Sequence, residues 1–135
     1  MLTAELQEGR LIEVKAEGHV SVAEVMVFRS QFTDNLVRAA QRVVICTDLR
    51  TAAAFGPEVS LMLLGMMKSD NPILERSGHL TQPDTAFGSQ LEEMVLLANN
   101  PSRRAFAEAE ELTRFLAPVL SPSERLRLRQ FLQLS

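Results

Sequence analysis

Two side chains offer covalent chemistry, the thiol of Cys46 and the imidazole of His79. A nucleophile and its base must lie within hydrogen-bond reach, with a third group orienting the base. Cys46 stands inside the apolar run Val43-Val44-Ile45-Cys46-Thr47-Asp48-Leu49, where cysteine behaves as a small core residue, and no third group is spaced with the pair. His79 is expected on an exposed or half-exposed strand. Two histidines, His19 and His79, and one cysteine are too few and too scattered for a zinc site. Neither a phosphate-binding loop nor a nucleophile elbow is found. The residues therefore assign no catalytic group, no metal and no cofactor.

Binding chemistry has better candidates. Asp48 falls at the carboxyl end of the apolar run, where open α/β sheets place their ligand crevices. An aspartate there can equally brace its own loop through backbone hydrogen bonds, and both readings stand. Arg50, Thr51, Phe55, Glu58 and Ser60 complete a candidate partner-binding set around it. Leu61, Met62 and Met66 are candidates for an apolar interface or an apolar ligand, since methionine surfaces adapt to what they meet.

The elements that must position these groups follow from pattern. Leu2 to Glu8 and Arg10 to Ala16 read as a hairpin about Glu8-Gly9. Ser21 and Glu24 form a capping box, with Val20 and Val25 as a hydrophobic staple, and start a helix whose core face carries Val22, Val25, Met26, Phe28, Phe32, Leu36 and Val37. The run from Val43 is apolar on both alternating faces, as in a central strand covered on both sides. After a loop over Thr51 to Phe55, Gly56-Pro57-Glu58 starts a helix that is apolar nearly all round, so it is expected to be deeply buried or covered by a partner. Ile73 to Gln82 reads as a strand, Pro83-Asp84 sets up a helix through Ala98, and Arg103 to Phe106 is a short edge strand. A helix follows from Glu108 to about Leu116, with Glu110 pairing with Arg114. Ser121-Pro122-Ser123-Glu124 is a second capping box, opening a last helix.

Composition narrows the class. A chain of 135 residues with 46% hydrophobic and 23% charged residues is one folded domain, 1-135, and is too apolar for disorder. Its net charge of -3 gives no reason to expect nucleic acid or an anionic membrane. The most apolar stretch, Val59 to Met67, is about half of a bilayer span, so no transmembrane segment is expected. With a single cysteine and no basic leader in this sequence, a cytoplasmic location is expected. Alternating strands and helices make an α/β domain, a mixed sheet of about four to five strands covered by helices, with an additional C-terminal helix.

The leading hairpin, the first helix, the strand Val43-Val44-Ile45-Cys46-Thr47-Asp48-Leu49 and the loop into an apolar helix resemble the STAS family of small regulatory domains. The later strings, Ser89-Gln90-Leu91-Glu92-Glu93-Met94, Ala98-Asn99-Asn100-Pro101-Ser102-Arg103-Arg104-Ala105-Phe106 and Glu111-Leu112-Thr113-Arg114-Phe115-Leu116, are similar to its bacterial SpoIIAA-like, or STAS/SEC14, members. That resemblance implies a non-enzymatic interaction module of a bacterial cytoplasm. Its partner would be a protein met through the loop and helix after the central strand, and self-association is a further expectation. The lipid-transfer side of the resemblance implies the alternative, a sensor or carrier of a small apolar ligand. In antagonist members a serine at the start of that helix is phosphorylated by a partner kinase. Here the position falls near Glu58, with Thr51 and Ser60 the nearest hydroxyls, so the pattern departs from a kinase-controlled switch.

Overall fold

A computed structural model describes residues 1–135. The hairpin strands β1 (Leu2–Glu8) and β2 (Leu11–Gly18) pair antiparallel in a register that sets Leu2 against Ala16 and Leu6 against Ile12. Gly9 turns the chain between them at φ 55°, in the left-handed region that glycine tolerates. Helix α1 (Val22–Ala39) starts at the expected capping box: the Ser21 hydroxyl accepts from the Glu24 amide and the Glu24 carboxylate accepts from the Ser21 amide, both at 3.1 Å. Strand β3 (Val43–Ala52) runs three residues past Leu49, so Thr51 belongs to its end and not to the loop. Helix α2 (Pro57–Asp70), strand β4 (Leu74–Leu80), helix α3 (Ala86–Leu97), strand β5 (Arg103–Phe106) and helices α4 (Ala109–Leu116) and α5 (Pro122–Phe131) complete the order. The cap of α3 is Thr85, whose Oγ1 accepts from the Gly88 amide at 3.0 Å, one residue beyond the Pro83-Asp84 signal.

The five strands lie in the order β1-β2-β3-β4-β5, with β1 antiparallel and the other neighbours parallel. The mixed sheet and the central place of β3 match expectation. Two separate cores result. On one face Ile12, Val14, Ile45 and Leu49 meet Val25, Phe28 and Phe32 of α1, Val59 of α2 and Phe87 and Leu91 of α3. On the other, Leu11, Val44, Cys46 and Leu80 meet Leu112 and Leu116 of α4 and Leu128 of α5. Each buried Phe or Leu contributes roughly 1.5–3 kcal/mol from its burial.

The inward stripe of α1 is Val25, Phe28, Phe32 and Asn35, at steps of three and four. Met26 and Val37, expected on this face, are 63% and 74% exposed. At 100° per residue, a helix that turns Val25 inward carries Met26 out of the stripe.

Charged groups fasten the C-terminal helices. Arg127 of α5 forks onto the buried Glu13 carboxylate of β2 at 2.6 and 2.7 Å. Glu124, also buried, accepts from the Ser121 amide and, at 2.7 Å, from the Arg10 amide beside the hairpin turn. Glu110 pairs with Arg129 of α5 at 3.0 Å, in place of the expected Arg114 on its own helix, because α5 lies beside α4. Phe115 of α4 is flanked by the guanidinium groups of Arg76 and Arg104, 5.1 and 4.9 Å from its ring centre.

Close approach of α4 to β4 depends on Gly78, where an added Cβ would lie 2.8 Å from Cγ of Leu112. Gly78→Ala should destabilise the protein by about 1–3 kcal/mol through overpacking. The loss in the double variant Gly78→Ala/Leu112→Ala should be smaller than the sum of the two single-variant losses. Urea unfolding of the three variants measures both.

Candidate functional site

Across the sheet, parallel pairing sets Ile45 beside Ser77 and Ser77 beside Arg103, and in the next rung Thr47 beside His79 and His79 beside Ala105. Alternate residues of a strand share a face, so Thr47, Ser77, His79 and Arg103 form a polar strip on the face covered by α1, α2 and α3. Asp70, at the end of α2, joins Thr47, His79 and Arg103 in lining a pocket of about 70 Å³ whose remaining walls are mostly apolar, including Phe28, Ile45, Leu63 and Met66. Neither Arg103 nor Asp70 was marked by the sequence. The available signal was the Arg103-Arg104 dipeptide on a strand, which has to send one arginine to each face.

His79 is 4% exposed, against the half-exposed position expected for it. β4 has neighbours on both edges and helices on both faces, which a seven-residue run containing Glu75, Arg76, Ser77 and His79 does not announce. Nε2 lies 3.3 Å from the Ser77 hydroxyl, and Nδ1 is buried with no hydrogen-bond partner. Burial, and after it the charge of Arg103, lowers the imidazole pKa to about 3, so the ring is neutral. Burial also lowers the Arg103 guanidinium to about 10, leaving it a cation at neutral pH. Its Nη2 donates to the Met67 carbonyl at 3.2 Å, while its buried Nε is without a partner. Burial raises the Asp70 carboxyl, opposed by the Arg103 charge.

Asp48 and Arg50 occupy the opposite face. The Asp48 carboxylate is buried and accepts from Nε and Nη2 of Arg50, each at 3.0 Å, and from the Arg50 amide at 3.1 Å. Arg50 Nη2 also donates to the Leu132 carbonyl at the end of α5, at 3.2 Å. Asp48 thus braces both the strand end and the C-terminal helix. Cys46 is on this face as well, its thiol pushed well up by burial and then by Asp48 and Glu13. The sheet itself stands between Cys46 and His79.

The remaining candidates gather around α2. Phe55 is buried, packed edge-on against Phe87 at 5.0 Å. Its loop is held by Gln90 of α3, whose amide accepts from the Phe55 amide and donates to the Phe55 carbonyl and to the Ser60 hydroxyl, all within 3.2 Å. Thr51 and Glu58 are exposed. Along α2 only Val59 is buried; Met62 and Met66 are half-buried and Leu61 is 71% exposed. Deep burial of α2, one of the two outcomes expected for it, is not found. Met62 and Met66 share a groove with Met26 and Arg29 of α1.

The unfolded chain protonates His79 near 6.5 and the folded chain only near 3. Between those values the unfolded state binds the extra proton, so stability falls as pH drops below 6.5, by up to about 1.4 kcal/mol per pH unit. His79→Gln should flatten that loss between pH 7 and pH 5, as urea unfolding at each pH will show.

No protein-family model matches the chain. No curated protein matches it either. Among solved structures it is similar to the anti-sigma factor antagonist SpoIIAA in its unphosphorylated form, with a TM-score of 0.59 at 13% sequence identity, covering 84% of this chain and 96% of that one. At that identity the likeness is one of fold. The order of strands and helices resembled the STAS family, and the chain has a STAS-like, SpoIIAA-like α/β fold.

Proposed function

We propose that the chain is a non-enzymatic STAS-like regulatory module of a bacterial cytoplasm that binds a protein partner through the loop and helix after its central strand. The observation that carries this reading is α2, a helix apolar from Leu61 to Met67 with a single buried residue, whose Leu61 stands in solvent and whose Met62 and Met66 share a groove with the exposed Met26 of α1. An apolar surface of this kind, rimmed by charged groups such as Glu58 and Arg29, has the make-up of a protein interface. Thr51, Glu58, Ser60, Leu61, Met62 and Met66 form the proposed contact. Phe55, Asp48 and Arg50 contribute by holding the loop and strand end in place. The fold shared with an anti-sigma factor antagonist supports a regulatory role. Glu58 puts a fixed charge at the helix start, so binding does not depend on phosphorylation there.

Leu61→Glu and Met26→Glu should each weaken capture of the partner from a lysate of the source organism at least tenfold. Leu126→Glu, on the equally exposed surface of α5, should leave it unchanged. If Leu61→Glu instead converts a dimer to a monomer on size exclusion, the partner is a second copy of the chain. Unaltered capture and unaltered oligomeric state in both α1 and α2 variants refute the surface.

A further inference from the structure

The pocket beneath α2 contains two polar side chains with unmet bonds. Arg103, 5% exposed, makes one side-chain hydrogen bond, to the Met67 carbonyl, and pairs with no carboxylate within 4.0 Å. Its Nε and the Nδ1 of His79 are both buried and both without a partner. A buried guanidinium with no carboxylate in direct contact and a buried polar nitrogen without a hydrogen bond are each unfavourable, and native structures rarely keep them without a use. Every other charged group buried in the sheet is matched: Glu13 by Arg127, Asp48 by Arg50.

We propose that this pocket binds a small aliphatic monocarboxylate, its head on Arg103 Nε and His79 Nδ1 and its tail among Phe28, Ile45, Leu63 and Met66. The guanidinium supplies the charge and a donor aimed at a planar acceptor. When the Ser77 hydroxyl donates to Nε2, the proton of the neutral imidazole sits on Nδ1 and becomes a second donor. Asp70 lines the same pocket and its charge already acts on Arg103, so a singly charged head is opposed less than a dianion such as phosphate. The volume of about 70 Å³ is roughly half of the ~150 Å³ apolar cavity that holds benzene, which limits the ligand to a short chain. Leu63, Met66 and Met67, half-buried on α2, form a wall that can adjust to the tail. Met66 borders both the pocket and the proposed protein surface, whereas Leu61 does not line the pocket and Arg103 is buried within it, so Leu61→Glu tests the surface and Arg103→Met tests the pocket.

The test is calorimetric titration of the full chain with butyrate, and with 1-butanol as the uncharged control. Saturable one-to-one binding of butyrate is expected, with 1-butanol at least tenfold weaker. Arg103→Met should weaken butyrate binding at least tenfold, while Arg104→Met, on the exposed side of the same strand, should leave it unchanged. In the wild-type protein the ¹⁵N resonance of His79 Nδ1 should move on saturation with butyrate. The proposal is overturned by absence of saturable binding across acetate to hexanoate, by equal binding of butanol, or by undiminished binding in a folded Arg103→Met variant. Should that variant not fold, an unmoved His79 resonance in the saturated wild type overturns it.

Discussion

The first seven residues of β3, Val43 to Leu49, are all buried, so this strand has to be covered on both faces. That requirement organises the molecule. The parallel strands β2 to β5 are laid down in one direction across the sheet, and each crossover between them contains one helix. Crossovers of a single hand advancing in a single direction place their helices on one face. Helices α1, α2 and α3 therefore share a face, and nothing between β2 and β5 can cover the other. The chain after β5 supplies that cover as α4 and α5. A helix added at the end of the chain is not held by strands on both sides, and the ion pairs of Glu13 with Arg127 and Asp48 with Arg50, together with the Glu124 carboxylate at the hairpin turn, supply the attachment.

The two faces consequently treat polar groups differently. Under α4 and α5 each buried carboxylate is matched by an arginine or by backbone amides, and the result is a tether. Under α2 the polar strip of Thr47, Ser77, His79 and Arg103 is left partly unmatched, beside a pocket and beneath the most lightly packed of the three helices on that face. The same loose packing of α2 leaves Leu61 in water. One physical circumstance, an apolar helix held by few buried residues, thus lies behind both the exposed surface and the pocket wall.

Much of the fold was legible because its signals are local. The capping boxes at Ser21 and Ser121, the turn at Gly9 and the two-sided apolar run from Val43 each depend on residues within a few positions of one another. The departures share a cause too. Met26 and Val37 face solvent because a helix stripe defined by hydrophobicity alone is wider than the face the sheet can cover. Glu110 pairs with Arg129 and not Arg114 because α5 lies beside α4, and spacing within a helix is visible in the sequence where the neighbouring α5 is not. His79 is buried and not half-exposed because whether a strand is central depends on partners far away in the chain.

Of the candidate site, Asp48 stood out by its place at the strand end, and both its role as a brace and the loop it supports could be anticipated from residue type. The sequence by itself determined the elements, their order and the need for a double cover on β3, since periodicity, capping and turn chemistry are set by near neighbours. Only the tertiary structure decided which face each strand residue looks toward. That decision separates Cys46 from His79, turns Asp48 toward α5, and brings Arg103 and His79 from two strands into one pocket with Asp70, because register across a sheet is fixed by packing between segments and not within any one of them.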